Sequence, residues 1–340
     1  MNESIHLKSK VNAIPPALLI CYARPRMIEQ TLTTLRSAGV KKVYVSIDGP
    51  STNDILNLQT EIERIIDKFH SNLFQIVVRK SSRNFGLALG VITAIDWFFQ
   101  QEEKGFILEE DIRISQSFID YGVWSLEHLD KNPRCLFAGG FYIDKSEFST
   151  SDPFICKYPM IWGWVTNQLN WSIMRELILA PKSLTLDVFL NRHLQYWYVG
   201  AKRASLGLID TWDIQLTYEF LRKDYYCILP PVPLVQNQGF DELAKHTKAK
   251  NPLLLVDIKE DTNFTSAHLV QSADHLDLYY QFIEQKIYKV SRRNLLSLYK
   301  FCLQYLWQRK KPYPQSLLEK IRNFQTQDDA FDVTLPPVSQ

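Results

Sequence analysis

The first third of the chain alternates between short apolar runs and amphipathic stretches. PALLICYARP predicts a buried strand over about 17–23, ended by Arg24-Pro25. Met27, Ile28, Leu32 and Leu35 then recur at helical spacing until Gly39 stops the helix. KKVYVSIDGP predicts a second strand, LNLQTEIERIIDKF a second helix and FQIVVRK a third strand. GLALGVITAIDWFFQQ reads as a mostly apolar helix, GFILEEDIRIS as a fourth strand ending in acids, and SFIDYGVWSLEHLDKN as another helix.

This alternation predicts βαβ units and an α/β fold with a mostly parallel sheet covered on both faces. Ligands of such sheets bind outside the carboxyl ends of the strands. Four polar clusters fall at four such ends: Tyr22 to Pro25, Ser46 to Gly49, Arg79 to Asn84, and Glu109 to Asp111. Any one of them could be a solvated loop; four on one rim predict a site.

From about 135 to 250 the alternation decays into aromatic and Pro-rich sequence, including YPMIWGWVTNQLNW and IDTWDIQLTYEF. That composition suits either an acceptor groove or an aromatic core. The expected organisation is a flexible leader (1–14), an α/β half (15–130), an aromatic-rich second half of the same domain (131–254), a helical extension (255–325) and a flexible tail (326–340).

Composition excludes several classes. The 340 residues are 46% hydrophobic and 22% charged, ordinary for a globular protein. The 39 Lys and Arg against 37 Asp and Glu leave +2, without the basic excess that a nucleic-acid-coating protein needs. Five dispersed cysteines form no CxxC pair and predict reduced thiols. The polar start lacks a signal-type apolar core, and no apolar run is long enough to span a bilayer, so a cytoplasmic location is expected. RRNLLSLYKFCLQYLWQRKK (292–311) sets Leu295, Leu296, Tyr299, Leu303, Leu306 and Trp307 at helical spacing between basic ends. It could pack on the sheet domain or lie peripherally on the anionic inner face of a membrane.

The acids carry the most pointed chemistry. Glu109, Glu110 and Asp111 are consecutive; in an extended segment the first and third share a face. Carboxylates about 4 Å apart repel by about 1 kcal/mol in water and nearer 4 at an effective dielectric of 20. At a strand end they call for a cation or hydrogen-bond donors. Mg²⁺ or Mn²⁺ fits, because such ions bind through one or two carboxylates plus substrate phosphates. A solvated acidic turn is the plain alternative.

FILEEDIRISQSFIDY resembles the metal-binding strand of the GT-A fold glycosyltransferases, whose motif is Glu-Asp-Asp. The likeness is nearest to bacterial family 2-like sugar transferases and the N-acetylglucosaminyltransferase I group. ICYARPRMIEQTL, VSIDGP, RNFGLALGVITAIDW, YPMIWGWVTNQLNW, DTWDIQLTY and VPLVQNQGF match in order, over roughly 15–250. The resemblance implies a Rossmann-like GT-A fold with a C-terminal helical extension. It implies Asp111 as the ligand of a metal bridging a diphosphate, with Glu109 and Glu110 near the donor sugar or ribose. It places Arg24 and Asp48 at the base, and Arg83 and Asn84 where a loop approaches the nucleotide. Asp48 could equally be an Asp-Gly turn, and Arg83 a surface side chain. His246 would complete the metal site or touch phosphate, while Trp162, Gly163 and Trp164 would frame donor sugar and acceptor.

An inverting transfer needs a carboxylate to take the acceptor proton opposite the leaving diphosphate. Asp213 in DTWDIQ matches the family's base, with Asp210 as a nearby competitor. Asp213 before an apolar periodic run also suits a helix N-cap. The expected function is a metal-dependent inverting transfer from a nucleotide-diphosphate sugar, UDP-sugar favoured, to a saccharide or lipid-linked saccharide, in cell-surface polysaccharide or glycoconjugate synthesis. The alternatives are a sugar nucleotidyltransferase, disfavoured because CYARPRM lacks a Gly-rich loop, and a non-catalytic glycan- or protein-binding module.

Overall fold

The computed structural model describes residues 13–143, 150–240, 254–270, 274–287, 300, 316–325 and 331–336. The predicted alternation is present. It runs β1 (Ala17–Cys21), α1 (Pro25–Ser37), β2 (Lys42–Ile47), α2 (Asn53–Phe69), β3 (Gln75–Ser81), α3 (Leu87–Phe99) and β4 (Lys104–Glu109). Pro25 opens α1, and Ile28, Leu32 and Leu35 bury one stripe. The Thr52 hydroxyl caps α2 by accepting the Ile55 N–H. In β1 the residues of both faces are buried, as a strand covered by helices requires.

β1, β2, β3 and β4 pair in parallel. Past β4 the chain departs from the predicted single strand. It turns at Glu110 and Asp111 and re-extends as β5 (Ile112–Ile114), which joins a separate two-stranded sheet with β10 (Val235–Asn237). α4 (Ser117–Leu129) follows as expected.

The second half is more regular than its sequence suggests. It supplies β6 (Cys135–Gly139), β7 (Phe154–Cys156), β8 (Trp164–Asn167), α5 (Gln168–Leu179), α6 (Leu186–Leu190), α7 (Arg192–Ser205), α8 (Asp213–Lys223) and β9 (Tyr226–Leu229). β8 inserts antiparallel between β4 and β6, and β6 pairs in parallel with β9. α9 (Asp274–Phe282) and a π-helical turn (Ile283–Ile287) precede α10 (Leu317–Gln325). The stretch predicted as a flexible tail contains β11 (Phe331–Thr334), paired antiparallel with β3. The result is a nine-stranded mixed sheet, ordered β11-β3-β2-β1-β4-β8-β6-β9-β7 and flanked by helices.

Cys21, Cys135, Cys156 and Cys227 are free and buried. Among the described residues, no helix is long and apolar enough to cross a membrane. Segment 292–311, apart from Lys300, lies outside the described residues.

Candidate active site

Parallel pairing puts the carboxyl ends of β1 to β4 on one edge, and with them the four polar clusters. They line a cavity of about 400 Å³, with Tyr22, Arg24, Asp48, Arg79 and Glu109 to Asp111 in its wall.

The acidic turn is held from within. Glu110 swings back under the β1–α1 loop, where one carboxylate oxygen accepts the N–H of Tyr22 (2.6 Å), Ala23 (2.9 Å) and Arg24 (3.3 Å). Its other oxygen pairs with Arg24 Nη1 at 3.1 Å. Burial pushes the Glu110 carboxyl up, while the Tyr22 N–H and the Arg24 charge pull it back. Asp111 is partly exposed to the cavity, with Oδ2 3.5 Å from Arg24 Nη1. Its carbonyl accepts the Gln238 N–H, and Gly239 packs so closely that a Cβ there would sit 2.0 Å from Asp111 Oδ2.

Glu109 feels its neighbours most. Burial, then the charges of Asp111, Asp213 and Glu110, push its carboxyl up to about 8, against the pull of Arg24. One guanidinium thus faces a collection of acids, an arrangement that favours a further cation. The carboxylate oxygens of Asp111 are of the donor type that a hard divalent ion takes. Among the described residues, no group of three or more His, Cys, Asp or Glu side chains is arranged to hold a metal by itself. His246 lies outside the described residues.

At the β2 end, Asp48 accepts backbone N–H groups. Oδ1 takes Gly49 and Phe85, each at 2.9 Å, and Oδ2 takes Gly86 at 3.1 Å. These contacts tie the end of β2 to the loop before α3, and Asp48 also lines the cavity. Asn84 donates to the Gly49 carbonyl at 2.9 Å. Arg83 is exposed, does not line the cavity, and sets its guanidinium 4.8 Å from the Phe85 ring.

Arg79, which the sequence places in a polar cluster without a role of its own, is a buried cation of this site. It is buried, donates to the Thr93 carbonyl at 2.8 Å and the Ser46 hydroxyl at 3.0 Å, and lies 3.9 Å under the Phe331 ring. Arg79 and Phe331 both line the cavity. A charged residue directly after the apolar run Ile76 to Val78 was the available signal for Arg79; Phe331 gave none, since its role depends on a remote strand pairing.

Asp213 is the first residue of α8 and makes no capping bond; its carboxylate accepts the Thr211 hydroxyl. The competitor Asp210 does cap a helix, but a distant one. Its two oxygens accept the N–H of Leu87 (2.9 Å) and Ala88 (3.0 Å) at the start of α3. Asp213 lines the first cavity and also a second one of about 560 Å³. The shared wall is Ile161, Trp162, Ile209, Asp213 and Ile214.

Of the three residues expected to frame the ligands, only Trp162 lines the cavities. Trp164 is 2% exposed and packs against Phe137, Trp171 and Trp212. Strand alternation would put Trp162 and Trp164 on one face, but Trp162 precedes β8 and the positive φ of Gly163 between them breaks that alternation. Gly163 has φ of 65°, and a Cβ there would lie 3.0 Å from Val235. Its role is to aim Trp162.

Compared with known proteins, the chain matches no family model, and no curated protein shows significant similarity to it.

Proposed function

We propose that the chain is a metal-dependent inverting glycosyltransferase of the GT-A type, moving a sugar from a nucleoside-diphosphate donor to an acceptor hydroxyl. The observation that carries this reading is the position of Asp213: a carboxylate in the wall between two cavities, one of which contains the Glu109 to Asp111 turn. The order β3-β2-β1-β4, followed by an antiparallel strand, also supports it.

In this reading the first cavity takes the donor, with Asp48, Arg79 and Phe331 at the nucleoside end and Asp111 and Arg24 at the diphosphate. Mn²⁺ or Mg²⁺, when bound at Asp111, would neutralise charge on the leaving diphosphate. Arg24 adds a fixed positive charge there. Asp213 takes the proton of the acceptor hydroxyl as that oxygen bonds to the anomeric carbon. The bond from anomeric carbon to phosphate oxygen breaks, and the nucleoside diphosphate leaves with the electron pair.

The Glu110 contacts bear on both rivals. A nucleotidyltransferase loop needs free backbone N–H groups for phosphates, whereas those of Tyr22, Ala23 and Arg24 already serve Glu110. Glu at this position also need not signal lost activity, because its extra methylene reaches that loop.

The test is thermal stabilisation by UDP, GDP, CDP and dTDP with and without Mn²⁺. One nucleotide should raise the midpoint, and Asp111→Ala should abolish the metal-dependent part. Asp213→Asn should retain that shift and lose turnover of a donor sugar. No shift with any nucleotide, with and without metal, would overturn the proposal.

A further inference from the structure

The second cavity differs in character from the first. Phe141, Met160, Trp197, Val199, Ile283 and Ile287 give it an apolar, aromatic lining. Among the described residues, its only ionisable acid or base side chains besides tyrosine are Asp213, in the wall shared with the first cavity, and Arg203, which is exposed. At about 560 Å³ it lies in the range that encloses a small organic ligand.

The Gln195 amide oxygen, in this lining, is a buried acceptor with no hydrogen-bond donor among the described residues. Gln195 is 2% exposed, and its amide nitrogen donates to the Phe189 carbonyl at 2.8 Å. A buried acceptor without a donor is destabilising, and a ligand hydroxyl donating to it would relieve that cost. The neighbouring Thr217 hydroxyl is already committed to the Asp213 carbonyl, at 3.0 Å. The lining therefore offers few polar contacts on a mostly apolar surface.

A bare saccharide presents hydroxyls on every side, and burying them here would leave most unpaired. An amphipathic molecule fits better: a hydroxyl-bearing head at Asp213 and Gln195, and a hydrocarbon or aromatic body against Trp162, Trp197 and Ile287. We infer that the second cavity binds the apolar aglycone of the acceptor, so that the substrate is a glycoside or alcohol carrying a hydrophobic group. This inference rests on the transferase reading, since only that reading makes the ligand an acceptor. The cavity walls are close-packed: a Cβ on Gly200 of α7 would lie 2.9 Å from Ile214 of α8. An apolar body is thus met by a preformed surface.

The test uses the full chain and two probes, methyl and n-octyl β-D-glucoside, the latter below its micelle concentration. Binding is read by the fluorescence of the lining tryptophans. The octyl glucoside should bind at least about tenfold tighter than the methyl glucoside, since each buried CH₂ contributes about 0.8 kcal/mol. Val199→Phe should reduce octyl binding about tenfold by filling the cavity and leave the manganese–nucleotide thermal shift unchanged. A crystal soaked with octyl glucoside should place the alkyl chain against Trp162 and Trp197, a readout that needs no variant. Equal affinity for the two probes, or an alkyl chain located elsewhere, would overturn the inference. Octyl binding in this cavity without any nucleotide shift would keep an apolar ligand there and overturn its role as an acceptor.

Discussion

The Glu110 carboxylate accepts the Tyr22 N–H at 2.6 Å, joining residues 88 positions apart. That contact ties the acidic turn after β4 to the loop after β1, and it holds Arg24 between Glu110 and Asp111. Glu110→Ala would strand three buried or half-buried N–H groups and remove one of the carboxylate partners of Arg24. It should lower stability by about 1–3 kcal/mol, with Glu110→Gln intermediate. Urea unfolding midpoints check this; an alanine variant as stable as the wild type would mean that water replaces the carboxylate at no cost.

Gly86 and Asp210 form a second linked pair. Gly86 has φ of 80°, and a Cβ there would lie 2.6 Å from Asp210 Oδ2. Asp210→Ala should cost about 1 kcal/mol through the lost α3 cap. Gly86→Ala should cost more, from both backbone strain and the clash. In the double variant the clash with the carboxylate is gone. The combined loss should therefore be smaller than the sum of the singles, as a double-mutant cycle would show.

Lys182 and Glu219 are a fully buried ion pair at 3.1 Å. Lys182→Met should cost roughly 3 kcal/mol, because among the described residues it leaves Glu219 with only the more distant Arg222 and Lys223, at 3.5 and 3.6 Å. Lys182→Met with Glu219→Leu should recover part of that loss. Burial, opposed by the Glu219 charge, holds the Lys182 ammonium below its ordinary 10.5. The unfolded chain then binds more protons in the window just under 10.5, so this group's contribution to stability rises with pH there. Unfolding measured from pH 8 upward should show a steeper rise in the wild type than in Lys182→Met.

Phe331 covers Arg79 at 3.9 Å and stacks near Phe85 and Phe324. Phe331→Ala should destabilise by about 2 kcal/mol from the desolvated cation–π contact alone. On the proposed reading it should also weaken the nucleotide-dependent thermal shift while leaving its manganese dependence. A variant that lost stability but kept full nucleotide affinity would confine Phe331 to a structural role.

The local pattern of the chain determined the parallel half. Strand and helix periodicities from Ala17 to Phe99 are properties of neighbouring residues, and short βα connections then bring four polar clusters to one rim. The acids at 109–111 and the acid at 213 were visible for the same reason: charges standing beside apolar runs. What each side chain does was decided in three dimensions. Glu110 can reach Tyr22 only once β1 and β4 pair, and Asp210 can cap α3 only once α8 docks beside it. Arg79 gains its aromatic cover only when β11 joins the edge of β3. Trp162 enters the site and Trp164 the core because Gly163 bends the chain before β8. Such partnerships join residues far apart in sequence, and no local periodicity encodes them; close packing of the assembled layers selects them.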